Sequence, residues 1–264
     1  MGDEWRTAGR LTLVRHGETT GQSSVRYYGA TDVPLNDVGR AQMHQVRAAL
    51  AGERFDAAFS SRMRRAVEGA AIVAAGQVAV TQLAAFDEIN FGRWEGWTRE
   101  EIATRDAENF RRWQEEGESF RYPDGDTRHG FRERVRAGLL DVLTSTPPGN
   151  WLMVLHKGVI AVVLTELLHL DPTKRAQLAI DLASIHTVAG ENGQWHAQVL
   201  NRVDRLSDSS CAPSSPGSVD SLRLSSAEIT MSSPASPAGE GPKGPSLQPN
   251  AAEPGRSTLS PGRG

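Results

Sequence analysis

The sequence predicts an α/β fold: a mostly parallel central sheet with helices on both faces, forming a single domain, followed by a disordered C-terminal tail. Three short apolar runs carry this prediction. Leu11-Thr12-Leu13-Val14 is β-prone and stops at Arg15 and His16, where Gly17-Glu18-Thr19 turns the chain. Phe55-Asp56-Ala57-Ala58-Phe59 runs into the arginine-rich Ser60-Ser61-Arg62-Met63-Arg64-Arg65-Ala66, and Trp151-Leu152-Met153-Val154-Leu155 stops at His156-Lys157-Gly158. Helical spacing follows the second and third runs, as in the β-α units of a parallel sheet. The carboxyl ends of neighbouring strands then share one edge, where open α/β sheets bind their ligands.

The remaining elements follow in chain order. Residues 40–50 have helical spacing, with Gly52 as a stop, and 63–75 read as a second helix ending before Gly76. Thr98 opens a third helix, with Glu101 three residues on to complete a capping box. Asp126 is placed to cap a fourth, running through Leu143 before Pro147-Pro148. Residues 159–168 continue from the third strand as a buried helix, and 186–188 with 195–200 form a closing hairpin across Glu191-Asn192-Gly193.

Composition sets the outer limits. The first 206 residues suffice for one domain with a sizeable core, and 10–206 is its expected extent. Residues 207–264 lack any aromatic residue and about half are Ser, Pro or Gly, too little apolar surface to offset the entropy of ordering them. The alternative for this tail is a phosphorylatable or protein-binding segment built on Ser-Pro steps such as Ser215-Pro216 and Ser233-Pro234. A net charge of −3 gives no indication of a nucleic-acid partner. Cys211 is the only cysteine, so neither a disulfide framework nor a Cys-based metal site is expected. No apolar run approaches the roughly 18 residues of a membrane span, and the first ten residues lack a signal-peptide core. A cytoplasmic protein without membrane partners is the expectation.

A histidine at a strand end can serve as base, metal ligand or covalent nucleophile, and the adjacent guanidinium of Arg15 points to an anionic substrate. Taken alone, the Arg15-His16 pair is more often structural. No short ligand spacing supports a metal site from His16, Glu18 and His156, and no metal or other cofactor is expected.

Arg15-His16-Gly17-Glu18-Thr19 resembles the signature of the histidine phosphatase superfamily, in its phosphoglycerate-mutase-like branch. Further likenesses follow in the family's order. Gly29-Ala30-Thr31-Asp32 through Gly39-Arg40-Ala41-Gln42 resembles its turn before the first helix, and Ser60-Ser61 through Arg65-Ala66 the segment with its second arginine. Phe86-Asp87-Glu88-Ile89-Asn90-Phe91-Gly92-Arg93-Trp94-Glu95-Gly96 resembles its acid-bearing loop. Pro123-Asp124-Gly125-Asp126-Thr127 is similar to its Gly-Glu-Ser element, and Val154 through Ile160 to its second histidine. The resemblance spans about residues 10–206.

That resemblance implies a phosphomonoester hydrolase for a small phosphorylated substrate. His16 is the expected nucleophile, since a neutral imidazole attacks phosphorus near pH 7, with a backbone carbonyl fixing its other nitrogen. Arg15 and Arg65 would grip phosphoryl oxygens through two-pronged bonds, and His156 would add a donor as a cation. Glu88 would protonate the leaving oxygen and then activate water, its pKa raised by Phe86, Ile89 and Phe91. Arg62 and Arg64 are assigned to a solvated helix face, Trp94 and Trp97 to packing, and the other histidines to structure.

Two departures qualify the likeness. Gln22 stands where the family commonly has a phosphate-contacting asparagine, and Lys157 replaces the first of two glycines after the second histidine. The alternatives to a hydrolase are a phosphoglycerate-mutase-like phosphotransferase, or a catalytically weak interaction module whose tail carries the biology. The short stretch between Glu88 and His156 favours the phosphatase branch, and the Phe91–Gly96 loop looks like that of α-ribazole-phosphatase-like members.

Overall fold

The computed structural model describes residues 9–191 and 193–204. Its strands are β1 (Gly9–Arg15), β2 (Ala57–Ser60), β3 (Val80–Gln82), β4 (Asn150–Leu155), β5 (Ile185–Glu191) and β6 (Gln194–Arg202). They form one six-stranded sheet in the order β3-β2-β4-β1-β5-β6. β3, β2, β4 and β1 are parallel to one another, and the β5–β6 hairpin adds antiparallel strands beside β1. The sequence-predicted sheet is therefore present, mostly parallel as expected.

Period-two alternation decides how the sheet is covered. Leu11, Leu13, Trp151, Met153 and Leu155 enter one core, while Val14, Leu152 and Val154 enter the other. Helices α1 (Asp37–Ala49) and α2 (Arg64–Ala74) close the Val14 side with Met43, Val46 and Val73. Two short helices, α3 (Arg99–Arg105) and α4 (Ala107–Glu115), extend the opposite core with Ile102, Phe110 and Trp113. That core is closed by α5 (Arg128–Ser145) and α6 (Lys157–Leu167). Residues Val159 to Leu164 of α6 are all buried, as the helix's apolar circumference requires. Among the described residues no helix is long and apolar enough to cross a membrane.

Capping sets the helix starts. Asn36 accepts from Gly39 N at 2.8 Å and begins α1 before the expected position 40. The Thr98–Glu101 capping box forms in full, with both reciprocal bonds present. The cap of α5 is Thr127, not Asp126: Thr127 Oγ1 accepts from Gly130 N at 3.0 Å. Asp126 is engaged elsewhere, its carboxylate taking the N–H of Asn90 at 3.0 Å. The sequence reading omitted β3, which has only three residues, and α4, which has no fully buried residue. The expected tail, 207–264, lies outside the described residues.

Candidate active site

Parallel pairing of β1 with β4 places Arg15 opposite Leu155, so His16 and His156 are the next residues on adjacent strand ends. His16 N donates to Leu155 O at 3.0 Å, extending the ladder by one bond. The two imidazoles then lie 5.2 Å apart between ring centroids, both buried. His16 Nδ1 lies 2.8 Å from Gly17 O, so that nitrogen carries the ring proton and Nε2 keeps its lone pair. The turn that follows packs directly on the start of α1: a Cβ at Gly17 would collide with Gly39, and one at Gly39 with Glu18 O.

Two guanidiniums flank this pair. Arg65, fully buried at the start of α2, donates to Thr31 O at 3.0 Å and to Gly29 O at 2.9 Å. Arg15 is half-buried and donates to Ile180 O at 2.9 Å. Burial lowers both pKa values, yet a guanidinium stays charged. Arg15 Nε, Arg65 Nε and His156 Nδ1 are buried without a hydrogen-bond partner among the described residues. Buried polar atoms are ordinarily paired, so this set of orphans is suited to meeting the oxygens of an anion.

Glu88 joins them from an irregular loop. Its carboxylate accepts from Gly158 N at 2.9 Å and Ile89 N at 3.0 Å, which docks it on the first turn of α6, beside His156. A Cβ at Gly158 would strike Glu88 Oε1, so glycine is required there. Lys157, by contrast, is exposed and makes no ion pair among the described residues. Of the two positions after His156, it is the second whose glycine the site uses. Burial raises the Glu88 pKa against the opposing pull of those N–H groups, Arg65 and Arg15. Of its neighbours in the loop, Phe86 and Ile89 are buried and Phe91 is half-buried.

Both site histidines sit well below the ordinary imidazole pKa. Burial is the first cause for each, followed by the charge of Arg65. The resting site, already holding two guanidiniums, makes a third cation costly, so the expected cationic His156 is disfavoured there until an anion enters beside it. His156 Nε2 instead lies 2.7 Å from Ser61 Oγ.

Gln22 stands on the turn beside Ser23, whose carbonyl accepts from Arg15 Nη2 at 3.4 Å. It is exposed on the turn after β1, with φ 62°, and its side chain has no hydrogen bond among the described residues. Arg62 and Arg64 are exposed, as expected, and each is ion-paired. Arg62 precedes α2 and clamps Asp87 through its backbone N at 2.9 Å and its guanidinium, while Arg64 pairs with Asp32 at 3.2 Å. Trp94 is a packing residue as expected, buried and stacked on Phe120 with its Nε1 donating to Asp106 at 2.9 Å. Among the described residues no three His, Cys, Asp or Glu side chains form a metal-binding group.

Sequence reasoning missed the residues that hold this site in place. Ser61 carries no motif of its own beside the more conspicuous arginines. Glu95 lies in the Phe91–Gly96 loop already noted, and its carboxylate accepts the N–H groups of Gly29, Ala30, Thr31 and Phe91 at 3.0–3.2 Å. It thereby fixes the segment whose carbonyls receive Arg65. Only its position in a glycine-rich turn hinted at such a role.

A nucleophile-capable histidine, paired cationic donors and a buried protonatable carboxyl at one sheet edge define a class: α/β enzymes of phosphoryl transfer. The chain belongs to the histidine phosphatase superfamily (branch 1), whose family model matches residues 11–203, and it is a phosphatase of that family. It is 29% identical over 194 residues to an adenosylcobalamin/alpha-ribazole phosphatase of Escherichia coli, covering 73% of this chain and 91% of that one. It is 28% identical over 180 residues to phosphoserine phosphatase 1 of Hydrogenobacter thermophilus, covering 68% and 85% respectively. The crystal structure of the alpha-ribazole phosphatase from Shigella flexneri superposes with a TM-score of 0.68 at 25% identity, covering 73% of this chain and 96% of that one.

Proposed function

We propose that this chain hydrolyses a small phosphorylated metabolite through a phosphohistidine at His16, without a metal ion, in the cytoplasm. One observation carries the reading: the Nδ1–Gly17 O bond leaves Nε2 of a neutral, buried imidazole as a nucleophile beside two guanidiniums. His16 Nε2 attacks phosphorus and the P–O ester bond breaks. Arg15 and Arg65 hold the equatorial oxygens, supplying the charge that Mg²⁺ supplies in kinases. With the Ser61 hydroxyl proton directed at Nε2, His156 presents Nδ1–H to the same oxygens as a neutral donor.

Glu88 gives its proton to the leaving oxygen. It then takes a proton from the water that attacks phospho-His16, so that the N–P bond breaks and inorganic phosphate departs. Its raised pKa suits the first step, since a carboxyl that holds its proton toward neutral pH can act as an acid there. The relatives' names suggest alpha-ribazole phosphate and phosphoserine as first members of a substrate panel.

The test is brief reaction with a ³²P-labelled ester. Wild type should give an acid-labile, alkali-stable label, still formed after EDTA treatment, which His16→Ala lacks while losing about 10⁴-fold or more in turnover. Equal labelling of the variant, or label that returns only with added metal, would overturn the reading. Rapid isomerisation of 3-phosphoglycerate with negligible phosphate release from any ester would replace the hydrolase with a mutase.

A further inference from the structure

The loop that carries Glu88 is gripped from behind by a single side chain on α5. Arg134 Nη1 donates to Asp87 O at 2.8 Å, Ala85 O at 3.0 Å and Ala84 O at 3.3 Å, and Nη2 reaches Glu88 O at 3.5 Å. Residues Ala84–Phe86 form a single 3₁₀ turn closed by Asp87 N on Ala84 O at 3.1 Å, so Arg134 joins that turn to the carbonyls that follow it. The guanidinium is fixed in turn: it lies over the Phe131 ring at 5.2 Å and 3.7 Å from Asp126 Oδ2. Asp126 also binds Asn90 N at 3.0 Å, on the far side of Glu88. The backbone on both sides of the acid thus refers back to α5. In front, the hydrogen bonds that hold the Glu88 carboxylate among the described residues come from the N–H groups of Gly158 and Ile89.

We propose that Arg134 is the positioning residue for the acid: by tying the carbonyls of the 84–88 loop to α5, it holds the Glu88 carboxyl docked at the start of α6. Arg134 touches no reacting atom, and its role rests on the reading of Glu88 as acid and base. A lysine reproduces only part of the grip, because an ammonium could meet the carbonyls that Nη1 reaches but lacks the second nitrogen that reaches Glu88 O and Asp126 and the plane that lies over Phe131.

The experiment compares wild type, Glu88→Gln, Arg134→Ala, Arg134→Lys and the Glu88→Gln/Arg134→Ala double variant. Two probes are used, glycerol 3-phosphate and p-nitrophenyl phosphate, across a range of pH, with the fold of each variant checked by melting. Glu88→Gln should lose about 10²–10⁴-fold in kcat on the alkyl ester. Arg134→Ala should lose about 10–100-fold in kcat on the same ester with KM changed less than about threefold, and shift the Glu88 limb of its pH profile. Its loss in the phosphoenzyme-forming burst should be far smaller with p-nitrophenyl phosphate, whose leaving group departs without a proton. In the Glu88→Gln background the Arg134 substitution should cost less than about threefold more, and Arg134→Lys should recover only part of the rate.

Losses that multiply in the double variant, or a loss equal on both esters with an unmoved pH profile, would overturn the proposal. A Glu88→Gln enzyme at wild-type rate on the alkyl ester would instead remove the acid assignment, and this proposal with it. Should Arg134→Ala not fold, Arg134→Lys and Arg134→Gln carry the same comparison.

Discussion

At the strand ends, His16 and His156 are placed by main-chain geometry: the parallel β1–β4 register sets them side by side and a ladder bond from His16 N to Leu155 O continues past the last paired residues. Arg65 and Glu88 are placed quite differently. Arg65 is received by loop carbonyls that Glu95 holds in position, and Glu88 sits on a loop tied to its surroundings by Asp87 and Arg134. A buried ladder shares its energy among many backbone bonds and is indifferent to most single side chains. In the loop half, a few charge-assisted hydrogen bonds do the same work, each contributing about 1.5–3 kcal/mol. Single substitutions should therefore disturb the loop half out of proportion to their distance from the chemistry.

Glu95→Gln should give the largest effect of those that test this contrast. The amide keeps one acceptor oxygen but turns an NH₂ toward N–H groups that Glu95 now satisfies. Expected are a loss of about 1–3 kcal/mol in stability and a fall of about 10–100-fold in kcat/KM, as the cradle of Arg65 relaxes. Steady-state kinetics and urea unfolding check both. Wild-type activity in this variant would mean that the loops hold themselves, and the contrast would fail.

Ser61→Ala probes the strand half, where one side chain still matters. Removing the hydroxyl frees His156 Nε2 from its partner at 2.7 Å and leaves the ring's tautomer unset. A decrease of about tenfold in kcat is expected, with stability changed by no more than about 1 kcal/mol. Nitrogen-15 chemical shifts of the imidazole should report mixed tautomers in the variant and one form in wild type. One tautomer in both would assign the orientation of His156 to the backbone alone.

The smallest effect on turnover belongs to His186, a buried histidine outside the site whose pKa burial pushes down to about 4. Below the ordinary imidazole value of 6.5 the unfolded chain binds a proton that the folded chain refuses. Its contribution to stability is thus full above pH 6.5 and is lost as pH falls toward 4. The slope for one such group approaches about 1.4 kcal/mol per pH unit. His186→Gln should flatten the fall in unfolding free energy between pH 6.5 and 5 by about that amount. Phosphate release at pH 7 should stay within about twofold of wild type, since the hydrogen bonds of His186 among the described residues go to Ser184 and Asn201, away from the reacting groups. An unchanged slope would show that His186 takes up its proton in the folded state.

The sequence by itself determined the sheet apart from β3, and with it the strand half of the site. Apolar runs ending at Arg15-His16 and at His156 are short-range patterns, and parallel β-α winding allows little choice about which edge they share. Thr98–Glu101 was equally legible, because a capping box is complete within four residues. Only the tertiary structure could decide the loop half. Asp126 was free to cap a helix until Asn90 N claimed it, and nothing near Arg62 in the chain shows that this exposed charge pairs with Asp87. The lowered pKa of His156 likewise depends on burial and then on arginines far from it in the chain, Arg65 first among them. Strand and helix signals repeat along the chain with fixed periods, whereas a loop is held by partners of no fixed spacing. Those partners become neighbours only once the sheet and both helical layers have formed around them.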